Sequence, residues 1–383
     1  MNLITRIKED FIVYREKLRR KLSEMNNPPE SDKLSIYKKN LRTRRIIIVI
    51  SFAVLAILII IYGLIFGITR LVERNTNVSD AINAVVMSDG QQLSGSFFYS
   101  HELEKGANVY ILDSFIENGE IMYKVKYDNH VGTISSKNIK YFSSDTTSEY
   151  ALMSDVSHFL TNNYFETEND FEVFLLENDF QYVYIRAGGR GYGADGNFYF
   201  DKKYQQFIDA CEYLKIPYGF YFLDEALDEN EADEEIKWIK DFLNKNSTSY
   251  NVLPIAIDIE YFDGKGRGDD KWEERKFIIE YLCQKLDEEN IENIIYTNAN
   301  RASQYFSEID NEFWLAYYPS INEIPNVWLT EMTTLEAANN IDLMNKTIAW
   351  QFTETGVSGS GINIKVDVNI IKNEFFSRFI NKK

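Results

Sequence analysis

Leu253-Pro254-Ile255-Ala256-Ile257-Asp258-Ile259-Glu260 is an apolar, β-prone run that ends in two carboxylates one residue apart. Such a pattern reads as a buried strand delivering acids to a site. Side chains at i and i+2 share one face of a strand, roughly 6.5–7 Å apart along the backbone. Asp258 and Glu260 therefore point one way, and Ile257 and Ile259 pack on the other side. Carboxyl oxygens of such a pair can approach the ~5–5.5 Å that supports retaining glycoside hydrolysis. Two clustered acids also repel, which raises the proton affinity of one of them. One carboxyl then stays protonated beside an ionised partner, as leaving-group protonation and oxocarbenium stabilisation require. The same spacing fits a plain strand end whose acids cap a helix or meet Lys or Arg.

The surrounding pattern separates these readings. Asp155-Val156-Ser157-His158 opens the region, and Tyr184-Ile185-Arg186-Ala187 and Tyr218-Gly219-Phe220-Tyr221-Phe222 end two further strands. Ile294-Ile295-Tyr296-Thr297, Phe313 to Tyr318, Ala349-Trp350-Gln351-Phe352-Thr353 and Val366-Asp367-Val368-Asn369 follow. In this order the motifs resemble glycoside hydrolase family 25, the lysozyme-type N-acetylmuramidases, over roughly residues 150–380. The chain departs from the common pattern in Phe159, where Trp is frequent, and in Gly188-Gly189-Arg190-Gly191-Tyr192-Gly193, where an acidic residue is frequent. That glycine-rich run is no dinucleotide loop, because no helix-forming segment follows it directly and Phe198-Tyr199-Phe200 intervenes.

Beyond residue 150, strand-like and helix-like runs alternate. Strands are expected at 181–187, 216–223, 252–260 and 293–297, and helices at 201–215, 230–246 and 270–290. Alternation of this kind makes a parallel sheet with covering helices. Past Phe313 the chain is strand-rich, so the expected fold of residues 150–383 is an irregular α/β barrel whose last third is mostly β. Residues 84–145 carry short alternating runs at close spacing, which read as a small all-β domain. Leu103-Glu104-Lys105-Gly106 before Val109 to Leu112, with Gly132 to Ile139 at the end, resembles a bacterial SH3-like module; such modules often bind wall peptides, and a plain spacer fits as well.

Residues 46–68 contain no charge, and 23 residues at about 1.5 Å each span a ~30 Å hydrocarbon core. The preceding fifteen residues hold Lys33, Lys38, Lys39, Arg42, Arg44 and Arg45, whereas the fifteen after it hold only Arg70 and Arg74. By the positive-inside rule the N-terminus is cytoplasmic, and residues 69–83 form a linker to an external part facing the cell wall. The run is too long and starts too late for a cleaved signal peptide. Leu3, Ile7, Phe11, Tyr14, Leu18 and Leu22 lie at helical spacing among basic residues, so the first 25 residues read as a basic amphipathic helix for the inner leaflet or a protein partner.

The net charge of −18 hides a division at this anchor. Residues 1–45 carry 13 basic against 6 acidic residues, and the remainder 28 against 53. An acidic external part disfavours nucleic-acid binding. With only Cys211 and Cys283, it does not depend on disulfides, and Cys211 reads as a buried thiol. His101, His130 and His158 form no metal-ligand spacing, so neither metal nor other cofactor is expected.

A barrel gathers its site at the C-terminal ends of its strands, where Asp155, Asp258, Glu260 and Asp367 would converge. The family resemblance implies Glu260 as general acid and Asp258 as the ionised partner, acting on the cation directly or through the substrate's acetamido group. Asp155 and Asp367 would shape the pocket and tune the acid pair. Tyr221, Tyr318 and Trp350 are candidates for a sugar-facing wall, because aromatic faces pack on pyranose C–H surfaces. Gln351 alternates with Trp350, so only one of the two reaches a ligand. The implied activity is peptidoglycan hydrolysis between N-acetylmuramic acid and N-acetylglucosamine; the competing reading is a catalytically weak wall-binding scaffold.

Overall fold

The computed structural model describes residues 12–19, 33–79, 81–95, 100–143, 148–161, 170–319, 324–325, 328–329, 340–354 and 366–380. Two compact units divide at Val72 and Glu73. In the first, residues 12–19 are helical, in line with part of the expected amphipathic helix; the rest of that segment lies outside the described residues. Helix α1 runs from Lys33 to Arg74 and contains a stretch, Lys39–Arg74, long and apolar enough to cross a membrane. It is longer than its uncharged run because the polar flanks contain neither proline nor a helix-breaking glycine pair, and Pro28-Pro29 lie before its start.

The second unit begins with seven antiparallel strands: β1 (Ile82–Val86), β2 (Gln91–Gly95), β3 (Ser100–Leu103), β4 (Asn108–Glu117), β5 (Glu120–Tyr127), β6 (His130–Ser135) and β7 (Ile139–Lys140). Alternate residues such as Ala84, Val86, Leu93, Val109 and Val125 fill a small core of their own. This β unit docks on the barrel. Tyr213 donates its hydroxyl to the Ala84 and Val109 carbonyls (2.8 Å each), and Lys140 Nζ donates to Leu176 O at 3.1 Å.

The barrel strands are β8 (Tyr150–Val156), β9 (Tyr182–Arg190), β10 (Phe198–Phe200), β11 (Tyr218–Leu223), β12 (Ile255–Ile259), β13 (Asn293–Asn298), β14 (Phe313–Ala316), β15 (Thr347–Thr353) and β16 (Asp367–Lys372). Parallel pairing links β8, β9 and β11 through β15 in turn. β16 is antiparallel to both β15 and β8 and closes the ring. Strand β10 folds back on β9, which therefore runs beyond the expected Ala187 to Arg190. Gly188 makes this possible: its φ is +152°, and a Cβ there would lie 2.0 Å from the Tyr199 carbonyl oxygen.

Helices α2 (Asp170–Glu177), α3 (Tyr204–Leu214), α4 (Glu229–Lys245) and α5 (Trp272–Glu288) cover the outside. Asp228 caps α4 by accepting from Glu231 N at 3.0 Å. Two cores result from strand alternation. Ile255, Ile257 and Ile259 join the layer between sheet and helices, each burial stabilising by about 1.5–3 kcal/mol, while Ala256 belongs to the barrel interior with Met153, Tyr184, Tyr296 and Trp314. Cys211 and Cys283 are buried free thiols in the outer layer.

Candidate active site

Parallel strands end on one rim of the barrel, and there the interior opens into a cleft of about 620 Å³. Asp155 reaches it from β8, Asp258 from β12 and Glu260 from the residue after β12. Because β16 runs the other way, its first residue, Asp367, arrives at the same rim and stands opposite Asp155 in register. The period-two geometry of β12 thus turns both acids inward and its isoleucines outward.

Asp155 is held as an acceptor. Its Oδ2 receives Gln351 Nε2 at 3.0 Å and Asn369 Nδ2 at 2.7 Å. Those amides are fixed in turn: Gln351 Oε1 accepts from the hydroxyls of Tyr296 (2.7 Å) and Tyr318 (2.5 Å), and Asn369 Oδ1 accepts from Trp314 Nε1 (2.7 Å). Asp367 shares a hydrogen bond with Asp155, and burial together with the Asp155 charge pushes its carboxyl well above the ordinary range. Burial therefore makes both carboxyls of the pair hold a proton more tightly than an ordinary carboxylate.

Asp258 is 4% exposed, and its Oδ1 has no hydrogen-bond partner among the described residues. Burial, reinforced by the Glu260 charge, drives Asp258 well up; the Arg186 guanidinium opposes this. Burial likewise raises Glu260, with Arg186 opposing and Asp155 adding to the rise. Asp258 and Glu260 repel each other and titrate as a unit that retains a proton above the ordinary carboxylate range. Asp155, Asp258, Glu260 and Asp367 form no ion pair among the described residues. Arg186 instead donates to the Tyr199 hydroxyl and lies 5.3 Å over that ring.

Of the residues expected from sequence, Asp155, Tyr221, Asp258, Glu260, Tyr318, Gln351 and Asp367 all line the cleft. Trp350 does not, which corrects its reading as a sugar contact. Its side chain is fully buried in the outer layer and its Nε1 donates to Tyr317 O at 2.8 Å, because Gln351 takes the inward position on β15. Sequence reasoning missed Arg186, Tyr199, Tyr296, Trp314 and Glu354, all of which line the cleft. Tyr296 and Trp314 had a signal: in the parallel register Asp258 pairs with Tyr296 and Tyr296 with Trp314, so one inward row crosses three strands. An arginine inside an otherwise apolar strand marked Arg186.

The sequence matches glycosyl hydrolases family 25 over residues 155–360. Among solved structures, the spore cortex lytic enzyme SleM of Clostridium perfringens is similar at 21% identity, covering 61% of this chain and 71% of that one, with a TM-score of 0.46. The catalytic domain of endolysin ply40, from bacteriophage P40 of Listeria monocytogenes, is similar at 16% identity over 60% of this chain and 96% of that one, TM-score 0.43. The glycosyl hydrolase 25 GHIP of Streptococcus pneumoniae is similar at 14% identity over 60% and 92%, TM-score 0.42. No curated protein sequence matches. The family match spans more than half of the chain and the matched segment contains Asp155, Asp258 and Glu260, so the chain belongs to glycosyl hydrolase family 25 and is a glycoside hydrolase of the muramidase type that acts on peptidoglycan.

Proposed function

We propose that this chain is a membrane-anchored muramidase in which Glu260 is the general acid and Asp258 its charged partner, cutting the β-1,4 bond between N-acetylmuramic acid and N-acetylglucosamine. The observation that carries the assignment is the convergence of four buried or half-buried carboxyls, from three strands, with no cation paired to any of them among the described residues. Burying charge without compensation costs several kcal/mol, and such a cost concentrated in a cleft is a functional signature.

Glu260, the more accessible of the pair, donates its proton to the glycosidic oxygen as the C–O bond breaks and the electron pair leaves with that oxygen. Positive charge then develops at the anomeric carbon and ring oxygen. Asp258 stabilises it, directly or by orienting the 2-acetamido group as an internal nucleophile. Water adds to the anomeric carbon and returns a proton to the Glu260 carboxylate. Gln351 and Asn369 fix Asp155, which with Asp367 closes the floor of the pocket, while Tyr221 and Tyr318 flank the sugar.

The remaining domains complete the proposal. The basic segment 1–45 lies in the cytoplasm, α1 crosses the membrane, and the linker around 69–83 leads to the external enzyme. The small β unit acts as an SH3-like module, a reading supported by its short antiparallel strands. Mass analysis of muropeptides released from purified wall tests the chemistry: new reducing ends on muramic acid are expected. Reducing ends on glucosamine, or free peptides alone, would refute it.

A further inference from the structure

The cleft volume of about 620 Å³ accommodates a ligand of ordinary small-molecule size, whereas a wall glycan is a polymer. The strand must therefore leave the cleft across its rim. At one place the rim carries an aromatic pair supplied by two different loops. Tyr192, in the glycine-rich loop after β9, stacks on Phe262, in the loop after β12, with ring centroids 4.9 Å apart and an interplanar angle of 27°. Both line the cleft, and Tyr192 is 49% exposed, so one side of the stack is open to a ligand.

Exposed loop aromatics are ordinarily poor platforms because ordering them costs entropy. Here both loops are braced from below. Arg190, 3% exposed, bonds through Nε to Glu235 Oε1 at 2.8 Å, through Nη1 to Gly196 O at 3.1 Å and through Nη2 to Glu231 O at 2.9 Å. From the other loop, Arg267 donates to both Glu231 oxygens, at 3.0 and 2.5 Å, and its backbone N–H donates to Glu225 Oε2 at 2.6 Å. Gly196 has φ +53°, and a Cβ there would meet Arg267 Nη1 at 2.6 Å, so a larger residue would push against the guanidinium that ties the loops together. Asp269 gathers the N–H groups of Phe262, Gly264 and Gly266 (3.1, 2.8 and 3.0 Å to Oδ2), which sets the turn that presents Phe262.

We propose that the Tyr192–Phe262 stack is a sugar platform outside the cleavage point, taking a pyranose ring of the same glycan strand through C–H contacts with the open Tyr192 face. It rests on the reading that the cleft holds a glycan and not on which carboxyl donates the proton. A preformed platform binds equally in ground and transition states, so its removal raises KM and leaves kcat.

The test compares wild type, Tyr192→Ala and Tyr192→Trp on glycan strands stripped of peptide, on intact peptidoglycan and on fragments that only just fill the cleavage site. Tyr192→Ala is expected to raise KM about five- to tenfold on both long substrates, with kcat within twofold and no change on the shortest fragment. Tyr192→Trp should restore the long-strand KM. Unchanged KM on long strands would overturn the platform. So would an equal loss on the shortest fragment, which puts Tyr192 at the cleavage point, or a loss confined to peptide-bearing wall, which makes the stack a peptide contact. Failure of the Glu260 assignment would appear separately, as retained kcat in Glu260→Gln.

Discussion

Two sets of buried carboxylates lie in one barrel, and they are treated in opposite ways. Behind the glycine-rich loop, Asp224 meets Arg275 at 2.5 Å with both side chains 1% exposed, and Glu235 meets Arg190 at 2.8 Å. In the cleft, Asp155, Asp258, Glu260 and Asp367 have amides, hydroxyls and one another for neighbours, with Arg186 turned toward Tyr199. Pairing marks acids that hold loops in place. Its absence leaves the cleft acids without a guanidinium clamp, and burial and mutual repulsion raise their proton affinity, as burial also raises Glu235 despite Arg190. The distinction is one of surroundings, since Asp224 just past β11 and Glu260 just past β12 occupy equivalent places at strand ends.

The largest effect expected from this contrast is on stability. Arg275→Met leaves Asp224 buried and uncompensated, and should cost about 3–5 kcal/mol in denaturant unfolding. The double variant with Asp224→Asn should recover most of that loss. If Arg275→Met is as stable as wild type but loses turnover, the braced set belongs to the chemistry and the contrast collapses.

A second effect comes from a buried acid outside both sets. Glu172 on α2 faces Asn108 of the small β unit, with Asp170 and Asp209 near, and burial pushes its carboxyl up to about 7. The folded state then holds a proton that the unfolded chain has released above about 4.5. Stability from this group is full at low pH and falls as pH rises through that window. Glu172→Gln should therefore gain on the order of 2–3 kcal/mol over wild type at pH 8 and nothing near pH 4. A pH-independent difference would mean that packing, not ionisation, sets the effect, and would weaken the claim that uncompensated burial is costly in this protein.

Much of the barrel was legible because its signals are local. The isoleucine run fixed the parity of β12 and hence the direction of Asp258 and Glu260, and α3, α4 and α5 lie within one to three residues of their expected limits. Parity failed at β15, where Trp350-Gln351-Phe352 is apolar on one side and amphipathic on the other; only the neighbouring strands decide that Gln351 turns inward. The brace had no local sign, since Arg190 meets Glu235, Arg267 meets Glu231 and Arg275 meets Asp224 only after β9, β11 and β12 lie side by side. Nor did the docking of the small β unit, in which Tyr213, whose helical position reads equally well as core, is joined by Lys105 and Lys140 across the contact. Glycines 188 and 189 were visible, but their use as room for β10 and Leu223 follows from strand neighbours far along the chain.

Substitution within the cleft pair tests the central claim most directly. Glu260→Gln keeps size and hydrogen-bonding atoms but delivers no proton, so turnover should fall by ~10² or more while folding and glycan binding persist. Asp258→Asn should also lose turnover, through the missing negative charge at the developing cation. The decisive readout is a substrate whose leaving group departs without protonation. It should partly rescue Glu260→Gln and leave Asp258→Asn inactive. Near wild-type hydrolysis of peptidoglycan by Glu260→Gln, or equal rescue of both variants, would contradict the account.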